Sequence, residues 1–141
     1  MAFTGNYSCN SFKTGMMNGT FNFTSGAFKI ALYTNAATLN AATATYTSAG
    51  EVVAAGYTAG GQALVVTQVP TVGSSGTTAY VSFGNTSWTG SITARGALIY
   101  QSGGTNPAVC VLDFGADKSS SGTFTVQFPA VSNSSAIIRL S

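Results

Sequence analysis

Thr123-Phe124-Thr125-Val126-Gln127-Phe128 alternates polar and apolar residues with a period of two. In an extended chain successive side chains leave opposite faces, so Phe124, Val126 and Phe128 share one face and Thr123, Thr125 and Gln127 the other. A helix would scatter the same residues around its axis. Phe28-Lys29-Ile30-Ala31-Leu32-Tyr33 repeats the pattern with Phe28, Ile30 and Leu32 on one side. Further strand candidates run over residues 20–24, 63–69, 78–83, 91–101, 108–114 and 136–140. Residues 109–112 are apolar on both faces, which predicts a central strand. Threonine is frequent in these runs, and its branched side chain suits a pleated surface better than a helix.

Between the runs lie turn signals: Gly73-Ser74-Ser75-Gly76, Ser102-Gly103-Gly104-Thr105-Asn106-Pro107 and Lys118-Ser119-Ser120-Ser121-Gly122. Pro70, Pro107 and Pro129 are expected at strand ends, where a missing N–H does no harm. About eight short strands with regular turn spacing predict an all-β, antiparallel β-sandwich, jelly-roll-like in form, over residues 25–141. Residues 1–24 read as an N-terminal arm. Within it residues 10–19 suit a short helix, with Asn10 or Ser11 as N-cap, Gly19 as terminator, and Phe12 and Met16 on one face. Gly15 costs that helix about 1 kcal/mol relative to alanine. Residues 34–61, rich in Ala, Thr and Gly, show no sustained period and read as a long loop, of a kind usually functional or disordered.

Charge is scarce. Lys, Arg, Asp and Glu make up 6% of the 141 residues and leave a net charge of +2, against about 25% charged residues in an ordinary soluble protein. Ser, Thr, Asn and Gly must therefore cover most of the surface. Such a surface is easily desolvated and favours association with other proteins. The five cations are scattered, without the stripe that nucleic acid requires. No stretch approaches the ~18–20 apolar residues of a membrane span. The opening Met-Ala-Phe-Thr-Gly has neither a positive start nor an apolar core, so a cytoplasmic origin is expected.

Catalytic chemistry has little to work with. There is no histidine, which removes the commonest general base and neutral metal ligand. The carboxylates are Glu51, Asp113 and Asp117, dispersed and without metal-ligand spacing. Asp113 reads as a strand-end residue and Asp117 as a turn former. Neither enzymatic activity nor a cofactor is expected. Cys110 reads as a small buried hydrophobe, and Cys9, in the polar arm, as a free thiol. Arg95 lies in an otherwise apolar strand and needs a counter-charge, for which Asp113 is the nearest across the hairpin. They pair if residues 95 and 113 face each other, and a slip of one residue would separate them. Trp88, in Asn85-Thr86-Ser87-Trp88-Thr89-Gly90, is a candidate sugar-stacking platform, against the plainer reading of a core or rim residue.

Several segments are familiar. Residues 28–34, Gly50-Glu51-Val52 leading to Gly56-Tyr57-Thr58-Ala59-Gly60-Gly61, residues 92–100, Val111-Leu112-Asp113-Phe114-Gly115 and the closing Ile137-Ile138-Arg139 resemble small virion structural proteins of tailed bacteriophages. The resemblance spans residues 12–141 and contains no catalytic signature. It implies a capsid decoration (cement) protein on the outer surface of the virion, made in the host cytoplasm. Its partner would be the major capsid protein, and it would act as a homo-dimer or homo-trimer. The expected contact residues are Phe3, Tyr7, Phe12, Met16 and Met17 in the arm, and Tyr46, Glu51 and Tyr57 in the long loop; for the arm, capping of the domain's own core is an equal alternative. Alternative placements are a tail, fibre or head–tail adaptor component, or a glycan-binding attachment module.

Overall fold

Alternation becomes strand wherever a neighbour is in place to pair with it. A computed structural model describes residues 3–141. Met1 and Ala2, the first residues of the expected arm, lie outside the described residues. The described elements are β1 (Tyr7–Ser8), α1 (Asn10–Asn18), β2 (Phe28–Tyr33), β3 (Gln62–Leu64), β4 (Val66–Val72), β5 (Ala79–Phe83), β6 (Thr86–Thr89), β7 (Thr93–Gln101), β8 (Ala108–Ser119), β9 (Thr123–Val126) and β10 (Ile138–Leu140). The strands form three antiparallel sheets, in the orders β1-β8-β7-β2-β3, β10-β5-β4 and β6-β9. The fold is thus the expected all-β antiparallel sandwich with one short helix.

There are ten described strands where about eight were expected. The run 63–69 divides at Val65, where the chain leaves the larger sheet. Leu64 still pairs with Phe28, whereas Val66 pairs with Phe83 in the smaller one. Tyr7–Ser8 and Thr86–Thr89 add strands too short or too polar to announce themselves. Residues 20–24 go the other way and form a turn. The Asn22 side-chain oxygen accepts the N–H groups of Thr24 and Ser25, closing a local bend in place of a ladder. Phe21 and Phe23 are nonetheless buried, as their alternation implies.

Pro70 lies inside β4 instead of at its end, tolerated because β4 is an edge strand and the pairing is irregular between Gln68 and Thr71. Asp117 lies in β8, which runs on to Ser119, and is not a turn residue.

The helix is capped earlier than expected, one residue before Asn10 and two before Ser11. Cys9 is its N-cap, with extended backbone and no side-chain hydrogen bond, and the Cys9 carbonyl accepts the Phe12 and Lys13 N–H groups. Gly19 ends it in the left-handed conformation at φ 80°, as the sequence suggests. Ser11 Oγ donates to the Ala108 carbonyl at 2.8 Å and ties the helix to β8.

Residues 34–61 are not a free loop. Thr34 N–H donates to Gly50 O, Val52 N–H to Leu32 O, and Tyr46 N–H to Asn106 O. Isolated bridges join Tyr33 to Glu51 and Thr45 to Pro107. The segment therefore covers β2 and the β7–β8 turn, which explains why Ala31 and Tyr33 are buried although alternation places them opposite Ile30 and Leu32. Its return depends on Gly61. This residue has φ 74°, and a Cβ there would stand 1.8 Å from the Ile30 carbonyl oxygen.

Aromatic rings link the layers. Phe12 meets Phe21 and Phe23 edge-on, Phe23 stacks on Phe28 with ring centres 4.6 Å apart, and Phe83 joins this group to Phe128.

Candidate functional site

Of the expected contact residues, most turn inward. Glu51 is 7% exposed and sits at the centre of a polar cluster. It accepts hydrogen bonds from Tyr46 Oη at 2.6 Å, Tyr57 Oη at 2.7 Å and the Gly60 N–H at 2.7 Å. Tyr57 Oη in turn accepts the Leu32 N–H, and Tyr100 donates to the Gly60 carbonyl. Tyr33 donates to the Thr47 carbonyl, and the Tyr46 and Tyr100 rings stack at 4.9 Å. Each member binds a different part of the chain, so the cluster clamps the 34–61 segment onto β2 and β7. Burial first, and Glu51 second, push the Tyr33, Tyr46, Tyr57 and Tyr100 hydroxyls above their usual range. Glu51, Tyr46 and Tyr57 therefore form an internal lock, in which Glu51 is buried instead of offered to a partner and the two tyrosines are half-buried.

The arm divides. Phe3 and Phe12 belong to the domain's own core, Tyr7 is half-buried, and Met16 and Met17 are 43% and 83% exposed. The two methionines lie along a groove whose opposite wall is β10 with the preceding Ile137. Val109 and Cys110 of β8 contribute to its lining. The groove encloses about 850 Å³. Leu140, 64% exposed, faces it from β10. Phe12 and Met16 do share the helix face towards it. Nothing in the sequence joins Ile138, Arg139 and Leu140 to the methionines. Their juxtaposition arises only in the fold, where both segments line the same groove.

Trp88 is 1% exposed and packs against Tyr57 and Phe124. No acceptor among the described residues reaches its indole N–H. A ring with no open face cannot stack on a sugar, so Trp88 is a core residue and not the expected sugar platform.

Arg95 and Asp113 meet, but not by the register anticipated. Asp113 stands opposite Gly96, and the pairing resumes only at Ala94 with Lys118. The bulge thus formed at residues 114–117 bends β8 enough for Arg95 Nε to donate to Asp113 Oδ1 at 3.0 Å and Nη2 to Oδ2 at 3.4 Å. These bonds, and then the Gly115 N–H, hold the Asp113 carboxyl below the usual range against the opposing effect of burial. The cysteines stay free thiols. Cys9 is buried, contrary to its expected place in a polar arm. Ser8 pairs with Cys110 while the Cys9 N–H bonds to the Val109 carbonyl, which directs the two side chains to opposite faces of the sheet. Burial pushes the Cys9 thiol up to about 11 and Cys110 higher still.

Among the described residues no cluster of three or more His, Cys, Asp or Glu could hold a metal ion, and no helix is long and apolar enough to cross a membrane. Compared with known proteins, the chain matches no family model, no curated protein and no solved structure.

Proposed function

We propose that the chain is a non-enzymatic structural protein of a bacteriophage particle, a decoration protein that binds and stabilises the capsid shell. The observation that carries this reading is the groove beside α1. It offers Met16, Met17 and Leu140 to solvent on a domain whose other large apolar side chains are mostly buried. Two of the three carboxylates, Glu51 and Asp113, are bound into internal hydrogen bonds, which leaves little for catalysis. The resemblance to tailed-phage structural proteins supplies the partner, the major capsid protein. Copies would associate as a dimer or trimer through a second apolar surface, where Val65, Val69 and Val72 are exposed on or beside edge strand β4. Many modest contacts repeated over a shell add up, so no single interface needs high affinity. The glycan-attachment alternative loses its platform with the burial of Trp88. Tail, fibre or adaptor placement is the remaining alternative.

The test is reconstitution. Purified protein added to capsids that lack it should bind at saturable stoichiometry and raise their resistance to heat. Met17→Asp, at a surface position, should weaken binding at least tenfold while leaving the fold intact. Wild-type protein that stays unbound would sink the decoration reading.

A further inference from the structure

The groove beside α1 carries a charge pattern as well as an apolar floor. Lys13 and Arg139 line it, and no Asp or Glu side chain does. Neither cation has a carboxylate partner among the described residues. Lys13 Nζ reaches Asn10 Oδ1 at 3.4 Å, and Arg139 Nη1 donates to the Ser134 carbonyl at 2.6 Å. One wall is also a sheet edge. Among the described residues β10 pairs with β5 on one side only, so its other edge leaves backbone N–H and C=O groups open to a further strand.

A second copy of the chain fits this groove poorly. An isologous dimer built on it would bring Lys13 and Arg139 towards their own symmetry mates, and strand-to-strand pairing centred on Arg139 would set like charges opposite one another. Head-to-tail docking fares no better. Glu51 is buried and Asp113 is paired, so the exposed carboxylate a copy can offer is Asp117, with Lys118 beside it. The complement must come from another protein.

We propose that the groove receives an extended apolar segment of a different protein, bearing at least two carboxylates, which adds as a strand to the free edge of β10. Its apolar side chains pack on Met16, Met17 and Leu140, and its acidic ones reach Lys13 and Arg139. Backbone pairing supplies affinity and the side-chain pattern supplies selectivity. The inference rests on the reading of the groove as the capsid-binding surface and names the chemistry of the segment it would take there.

The test is selection of a random twelve-residue peptide library, displayed on yeast, against the purified full chain. Enriched sequences should combine alternating apolar residues with two or more Asp or Glu. A synthetic peptide of the leading sequence should bind at least tenfold more weakly to Lys13→Glu/Arg139→Glu, and to Met17→Asp, with circular dichroism confirming that both variants fold. Its binding should also weaken with added salt. On labelled protein the peptide should protect the β10 backbone amides from hydrogen exchange. Four results would each overturn the proposal: no enrichment, enrichment without carboxylates, binding unchanged in the double charge variant, or self-association of the free chain that Met17→Asp abolishes. The selection uses no particles, so its failure leaves the particle reading standing. Absence of the chain from purified particles would sink that reading without touching the selected peptides.

Discussion

Glu51 shows how a single residue can be read correctly as important and wrongly as exposed. An acid in a loop of Ala, Thr and Gly suggests a charge offered to solvent. The same stretch also holds its partners, Tyr46 and Tyr57, five residues before and six after. Removing the carboxylate leaves two hydroxyls and a buried N–H without an acceptor, each costing about 1–3 kcal/mol. Glu51→Ala should therefore lose ~3 kcal/mol of stability, measured by denaturant unfolding. Glu51→Gln should lose less, because the Tyr46 hydroxyl can turn to accept from the amide. A neutral Glu51→Ala would contradict the lock. The raised tyrosines give the cluster a pH signature. A phenol whose folded-state pKa lies above the ordinary value of about 10 keeps its proton when folded and releases it when unfolded. Its contribution is full below about pH 10 and declines as pH rises beyond it. Phenolate absorbance should therefore show Tyr33, Tyr46, Tyr57 and Tyr100 ionising above the usual phenol range while the chain stays folded. All six tyrosines titrating near pH 10 in a folded chain would contradict this.

At the scale of elements, period-two alternation located the strands but not their partners. Thr123, Thr125 and Gln127 are exposed while Phe124 and Val126 are buried, as the opening stretch implies. Residues 20–24 alternate as well, yet no strand is placed beside them, so the inward face survives without the ladder. The position of Arg95 was legible as a demand for a counter-charge, whereas the bulge that meets it was not, since a bulge is a property of two strands together. Gly15 separates local propensity from packing. Helix propensity alone favours Gly15→Ala by about 1 kcal/mol. In the fold a Cβ at that position would stand 2.4 Å from the Phe21 ring, which is itself held edge-on against Phe12. The substitution should destabilise the protein by about 1–3 kcal/mol through overpacking. A stabilised Gly15→Ala in thermal unfolding would show that the ring moves aside freely.

Over the whole molecule, composition foretold a neutral, β-rich block, but not where its open surface lies. Of the eight contact residues expected in the arm and the loop, Met16 and Met17 alone are exposed large hydrophobics. Phe3, Phe12, Glu51 and the loop tyrosines are instead used to hold the domain together. The reason is topological. The loop is fastened over β2, the arm enters the large sheet through β1, and the C-terminal strand lines one groove with the helix. That last juxtaposition creates the groove, and nothing in either segment alone foretells it. The proposed decoration role requires this groove to face a capsid shell. Cryo-electron microscopy of the proposed source particle, with the gene present and deleted, is the decisive test. Extra density on the outer shell, shaped as this sandwich, with α1 and β10 against the major capsid protein, is the expected result. Identical shells in the two maps, or the sandwich found in the tail, would contradict it.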